Sequence, residues 1–216
     1  DVDIAQIARE TFGFSGAQLE SVANEAAIYA MREQAEAIRP SHLRDAIDKV
    51  MMGEKTDREA TEQERERVAV HELGHALVSE LVCPGSVSQV ALSPRGQALG
   101  YVRQNPSKDQ YLYTRQEIED QIKVALAGAV SEEMIYGNRS TGSRNDFEQA
   151  NRHTALLIES GLSELGILNV QLASKEKMQE ESSRILDRLF QETQQLLDDY
   201  CTVFSDSLAI LLKEEV

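Results

Sequence analysis

The chain has 216 residues, 41% of them hydrophobic and 27% charged, a soluble composition with enough apolar material for one large core or two small ones. Lys and Arg number 22 against 37 Asp and Glu, a net charge of −15 with a pI near 4.7, which argues against a phosphate-tracking nucleic-acid binder. Only 4 prolines and 5% aromatic residues favour helices over a β-sandwich or barrel.

The chain opens on Asp1 with neither Met nor an apolar leader, so no signal peptide is expected and the start is read as that of a fragment or processed chain. Residues 1–56 read as a small helical unit. Residues 4–10 suit a short helix, closed by the turn Phe12-Gly13-Phe14-Ser15-Gly16. Ser15 is a suitable N-cap for a second helix, whose apolar stripe would be Leu19, Val22, Ala23, Ala26, Ala27 and Ala30. After Arg39-Pro40-Ser41 the spacing predicts a third helix over about 41–52, with Leu43, Ile47 and Val50 inward and Gly53 as its stop.

Residues 53–60 are charged and read as a linker into a second unit, 57–216. Thr61-Glu62-Gln63-Glu64 has the capping-box pattern, and its helix should run to about Leu81. Cys83 and Cys201 cannot form a disulfide framework, so a reducing compartment is expected. Val87, Val90 and Leu92, then Leu99, Tyr101 and Arg103, flank Ser93-Pro94-Arg95-Gly96 as a hairpin. Thr114-Arg115-Gln116-Glu117 is a second capping box; its helix turns Ile118, Ile122, Ala125, Leu126 and Ala129 inward and ends at Gly137. A polar loop over 138–144 leads into a helix over about 146–160. From Ser174 a long helix carries Met178, Ile185, Leu189, Leu196, Tyr200 and Val203, with a break near Ser205-Asp206 and a last helix over 208–214. No apolar run approaches the roughly 18 residues that a membrane-spanning helix needs.

His71-Glu72-Leu73-Gly74-His75 is an H-E-x-x-H in mid-helix, holding two of the chain's 4 histidines. Histidines four apart stack on one helix face at about 6 Å, so both imidazoles can reach one zinc ion. Glu72 is then placed to take a proton from a metal-bound water that zinc has made acidic. Chance could put this pattern on a surface helix. Here it is flanked by Val68, Leu77 and Val78, where unpartnered histidines would be costly to bury.

A catalytic zinc also needs a third protein ligand. His42 lies in the other unit and reads as a surface residue, and His153 falls within a later helix. The carboxylate candidates are Glu132, Glu133 and Asp146, which spacing alone does not separate. Asp146 has a competing role, since Ser143-x-x-Asp146 is itself a capping pattern. Glu133 could instead orient a histidine or be a buried structural acid.

These residues resemble the FtsH-type, AAA-linked zinc metalloproteases of peptidase family M41, over nearly the whole chain. Phe12-Gly-Phe-Ser-Gly-Ala17, Asn24-Glu-Ala-Ala27 and Lys49-Val-Met-Met-Gly53 look like that family's AAA lid. His71-Glu-Leu-Gly-His75, Pro94-Arg-Gly-Gln-Ala-Leu-Gly100, Glu132-Glu-Met-Ile-Tyr-Gly137 and Ser140-Thr-Gly-Ser-Arg-Asn-Asp146 look like its peptidase blocks, in order. The resemblance implies a mainly α fold: a helical AAA lid (1–56), then an α-helical zinc metalloprotease domain (57–216) with a small β-hairpin.

It further implies Zn2+ held by His71, His75 and Asp146, with Glu72 as the base. Gly16 and Ala17 would lie near a nucleotide, with ATP and Mg2+ acting only through an ATPase core outside these residues. Unfolded polypeptide would be the substrate, a homo-hexamer the assembly, and an upstream anchor the only membrane contact, with this part on the cytoplasmic or organelle-interior side. The strand over 99–103 could pair with an extended substrate. Against the family pattern, Leu73 replaces an alanine, Gly128-Ala129-Val130 stands where Gly-Gly-Arg is usual, Gln18 replaces an aspartate, and an Ala-Arg pair after Asp146 is missing. The zinc and base residues are intact, so an active peptidase is expected; a zinc-stabilised chaperone or assembly scaffold without turnover is the competing class.

Overall fold

The structure is a computed structural model that describes residues 2–54, 60–92, 99–104, 110–169 and 173–214. Among these residues there are eight α-helices, one 3₁₀ turn and one two-stranded sheet. The helices start where the sequence supplies caps. Ser15 Oγ accepts from the Gln18 amide at 3.3 Å and Gln18 Oε1 accepts from the Ser15 amide at 2.9 Å, opening the helix after the short α1 (Ile4–Glu10), namely α2 (Gly16–Arg32). Thr61 and Glu64 do the same for α4 (Glu62–Val82), as Thr114 and Glu117 do for α5 (Arg115–Tyr136). Each such cap satisfies amides that the helix itself leaves unpaired, typically ~1 kcal/mol. Gly137 closes α5 in the left-handed region at φ 69°, which a residue without Cβ adopts freely.

Two separate cores form. Val22 and Ala26 of α2 pack against Ala46 and Ile47 of α3 (Pro40–Met52), with Ile7, Phe14, Leu43 and Val50 around them. The larger core joins α4 and α5 to α6 (Arg144–Glu159), α7 (Lys175–Asp199) and α8 (Cys201–Glu214), around Val70, Ile118, Ile122, Leu157, Ile185 and Leu189. The hairpin pairs β1 (Val87–Ala91) and β2 (Tyr101–Gln104) antiparallel, Ala91 opposite Tyr101 and Gln89 opposite Arg103, with an irregularity between Val87 and Gln89. Its expected turn at 93–96, most of the block from Pro94 to Gly100, and the linker residues 55–59 lie outside the described residues.

Three sequence expectations need correction. His42 is not on the surface. It is 1% exposed, its Nδ1 accepting from the Arg39 amide at 3.0 Å and its Nε2 meeting Glu33 at 2.9 Å, so local polar partners make its burial tolerable. Leu19, Ala23 and Ala27 face outward on α2, whose buried line is the narrower Val22, Ala26, Ala30. The break in the C-terminal helices falls at Tyr200, not at Ser205-Asp206. Ser205 returns its hydroxyl to the Cys201 carbonyl at 2.9 Å, so the polar pair is absorbed on the exposed side of α8.

Candidate metal centre

Helix α4 carries His71 and His75 one turn apart, and α5 crosses behind them. Gly128 of α5 makes that crossing possible. A Cβ there would lie 2.5 Å from His71 Cε1 and 2.6 Å from the Nε2 atoms of both histidines. Gly74 meets the same helix on the other side, where a Cβ would fall 2.4 Å from Ser131 Oγ and 2.7 Å from the Ala127 carbonyl. The two glycines let the helices close until imidazoles fill the gap. Leu73 points into the core, and Ala129 and Val130 are fully buried apolar residues.

Both histidines are oriented by their Nδ1 atoms. His75 Nδ1 donates to the Val124 carbonyl at 2.7 Å, and His71 Nδ1 lies 2.8 Å from Glu132 Oε1. The Nε2 atoms then face each other at 3.0 Å, with Asp146 Oδ2 at 3.1 Å from His71 Nε2 and 3.6 Å from His75 Nε2. Among the described residues these three side chains are the one group whose ligand atoms converge as a metal site requires. With both Nδ1 atoms engaged as donors, both Nε2 atoms and Asp146 Oδ2 are directed at one place, which a shared proton or a bound cation satisfies. The donor set, two imidazoles and a carboxylate, fits zinc with a coordination position left open.

The electrostatics agree. Burial pulls the His71 imidazole down, but its hydrogen bonds to Asp146 and Glu132 outweigh that and hold it up at about 9. Burial pushes the Asp146 carboxyl up, while His71 and His75 more than compensate and hold it well below the usual carboxylate range. An environment that favours a proton on His71 favours a dication by the same charges. Burial raises Glu72, against the pull of His75 and His71. A carboxylate raised in this way is a better proton acceptor than one in water.

Asp146 enters from the start of α6, behind the 3₁₀ turn Thr141–Ser143. The capping alternative for the Ser143 and Asp146 pair is not realised: Ser143 makes no side-chain cap bond and Asp146 turns to the histidines. Of the two glutamates, Glu133 pairs outward with Arg139 at 2.7 Å, whereas Glu132 is 1% exposed and does the orienting. Glu132 Oε2 also accepts from Arg67 Nη1 at 2.8 Å and the Ser140 amide at 2.9 Å, and Oε1 accepts from the Ser140 hydroxyl at 3.0 Å. The sequence offers Glu132 only as a possible metal ligand and Gly128 only as part of a family block; the orienting role of the first and the close approach at the second come from the packed helices. A glycine inside an otherwise strong helix costs ~1 kcal/mol relative to alanine, and that cost was the available signal. His153 lines the same cleft as Glu72, while Gly16 and Ala17 sit exposed at the start of α2.

The family model for peptidase family M41 matches residues 58–216, and that for the AAA+ lid domain matches residues 1–45. The chain belongs to peptidase family M41. An "ATP-dependent zinc metalloprotease FtsH" of Methylococcus capsulatus is 39% identical over 238 aligned residues, covering 100% of this chain and 37% of its own length. FtsH 1 of Thermomicrobium roseum is 34% identical, again over 100% of this chain and 36% of its own. FtsH 1 of Methylacidiphilum infernorum reaches 45% over 69% of this chain and 24% of its own. The chain thus spans little more than a third of the curated relatives that match it end to end. The M41 match begins at Arg58 and contains His71, His75 and Asp146; the lid match ends at Asp45. Among the described residues no helix is long and apolar enough to cross a membrane.

Proposed function

We propose that this chain is the lid and peptidase part of an ATP-dependent zinc endopeptidase, with the lid over 1–56 and the peptidase over 57–216. The observation that carries the reading is the convergence of His71 Nε2, His75 Nε2 and Asp146 Oδ2 beside the half-buried Glu72. These three atoms would hold zinc, whose chemistry when bound is to polarise a scissile carbonyl and acidify a coordinated water. Glu72 would act as the proton carrier, its carboxylate accepting a proton from the attacking water and passing it to the leaving amine. Glu132 and the Val124 carbonyl keep both imidazoles turned so that Nε2 faces the cleft. β2 borders that cleft through Tyr101, Val102 and Gln104 and presents backbone against which an extended chain can pair.

The names of the relatives support ATP dependence, which would reside in an ATPase core outside these residues, with Gly16 and Ala17 toward the nucleotide. Unfolded protein is then the substrate class, and a homo-hexamer with a membrane anchor outside these residues the assembly, this part lying in a reducing compartment. The test is Glu72→Gln in the full-length protein beside Asp146→Asn. Glu72→Gln should keep one zinc per chain and lose hydrolysis of an unstructured peptide by at least about a hundredfold. Asp146→Asn should lose zinc. Undiminished cleavage by Glu72→Gln, contamination excluded, would assign the base to another group.

A further inference from the structure

A second cluster of buried charge lies away from the metal centre, where the smaller helical unit meets the hairpin. Arg103 of β2 is 3% exposed and Asp48 of α3 is 5% exposed. The Arg103 Nη2 contacts Asp48 Oδ1 directly, and Arg103 Nη1 reaches Glu10 of α1 at 3.4 Å. Tyr101, two residues earlier on the same face of β2, donates its hydroxyl to Asp48 Oδ2 at 2.9 Å. One carboxylate therefore grips two successive inward positions of one strand, and two helices of the lid unit converge on one guanidinium.

The other end of β2 touches the metal centre. Gly100 directly precedes the strand and lies over Glu72: a Cβ there would be 3.0 Å from Glu72 Cγ and 2.7 Å from Val68 Cγ1. The strand edges the cleft along Tyr101, Val102 and Gln104. The strand is thus in contact with Glu72 at one end and with Asp48 of α3 along its inward face. A buried ion pair is a poor way to gain stability, because desolvation offsets its attraction, and an apolar pair of similar volume would hold the same interface. What the pair adds is geometry, through fixed partners, fixed directions and a fork that cannot slide.

We propose that Arg103, through Asp48, is a positioning residue that sets β2 against Glu72 and passes the orientation of the lid to the peptidase cleft. This rests on the reading above only in that the lid responds to nucleotide. The experiment follows amide hydrogen exchange over residues 99–104 in the full-length protein, with and without a non-hydrolysable ATP analogue. Zinc content, thermal midpoint and peptide cleavage are measured in parallel. The parent should show an exchange difference of about fivefold or more between the two states. In Asp48→Asn/Arg103→Met the buried pair is removed together and Glu10 keeps the Gln6 Nε2 donor at 2.8 Å, so the fold and the zinc should be kept while the nucleotide-dependent difference vanishes. If that double variant does not fold, Tyr101→Phe decides. It removes one of Asp48's two partners on β2 and should at least halve the difference.

A nucleotide effect of parental size in the folded double variant, or in Tyr101→Phe, overturns the proposal, as does its absence in the parent. Loss of the exchange difference without any peptide cleavage by the parent would sink the peptidase reading and leave this one standing. Cleavage that rises with ATP equally in parent and double variant would do the reverse.

Discussion

His71, Glu72 and His75 are legible from sequence because helix periodicity alone puts the two histidines on one face. The acid that orients His71 is not legible in the same way. Glu132 and Glu133 both follow the inward stripe of α5 after Ala129, one at a spacing of three and the other of four, and a 3.6-residue turn favours neither. Only the packed structure separates them, turning Glu133 toward Arg139 and Glu132 toward His71, Arg67 and Ser140. A carboxylate on a ligand's distal nitrogen fixes the ring and raises its basicity, and losing it commonly weakens metal binding about 10–100-fold. Glu132→Gln should therefore weaken zinc binding in that range without emptying the site at saturating metal. Glu133→Gln should leave the affinity as it is. Competition with a chromophoric chelator measures both, and equal affinities in the two variants would remove Glu132 from the site.

At the scale of elements, an N-cap serine marks the start of α2 and capping boxes mark those of α4 and α5, because a cap is a local contract between residues three apart. The junction at Tyr200 gives no such local signal. Leu197 and Phe204 are both buried and seven residues apart, so the apolar phase runs through the junction without a break. Helix-to-helix contacts are equally hidden from a one-dimensional reading. Buried Glu119 of α5 accepts from Arg115 of its own helix at 2.9 Å and from Arg188 of α7 at 2.7 Å, the second bond joining the two helices. Burial pushes its carboxyl up, but the two guanidiniums outweigh burial and hold it below the usual value.

A depressed folded-state pKa means that this stabilisation is present above the unfolded value, ~4.3, and is lost as pH falls through the folded one. Glu119→Gln should cost about 1–2 kcal/mol near neutral pH. The gap between parent and variant should narrow as the carboxylate is protonated. Urea denaturation at about pH 7 and about pH 3.5 tests this; a gap that holds or widens in acid would show that Glu119 is not held as a carboxylate by the two arginines.

Over the whole molecule, composition, breakers and periodicity lead one to expect a helical unit and a larger helical unit with one hairpin, and the described residues form two separate apolar cores. What joins the units, Asp48 with Arg103, spans 55 positions of sequence and leaves no periodic trace. The cores differ greatly in size, which determines how the molecule should behave when divided at the expected boundary between 56 and 57. A chain of about 60 residues buries only about 60% of its unfolded surface and is marginal, and the fully packed centre of the first unit is four side chains, Val22, Ala26, Ala46 and Ile47. Residues 57–216 keep the entire larger core and every atom of the metal centre. Division also returns Arg103 to water, so no unpaired charge is left buried. The larger piece should therefore unfold cooperatively and bind one zinc, while residues 1–56 alone should show helix without a cooperative transition. Circular dichroism melts and metal titration of the two pieces decide this. A cooperative melt of 1–56 would show that its small core suffices, and failure of 57–216 to hold zinc would show that the lid contacts on β2 are needed to form the site.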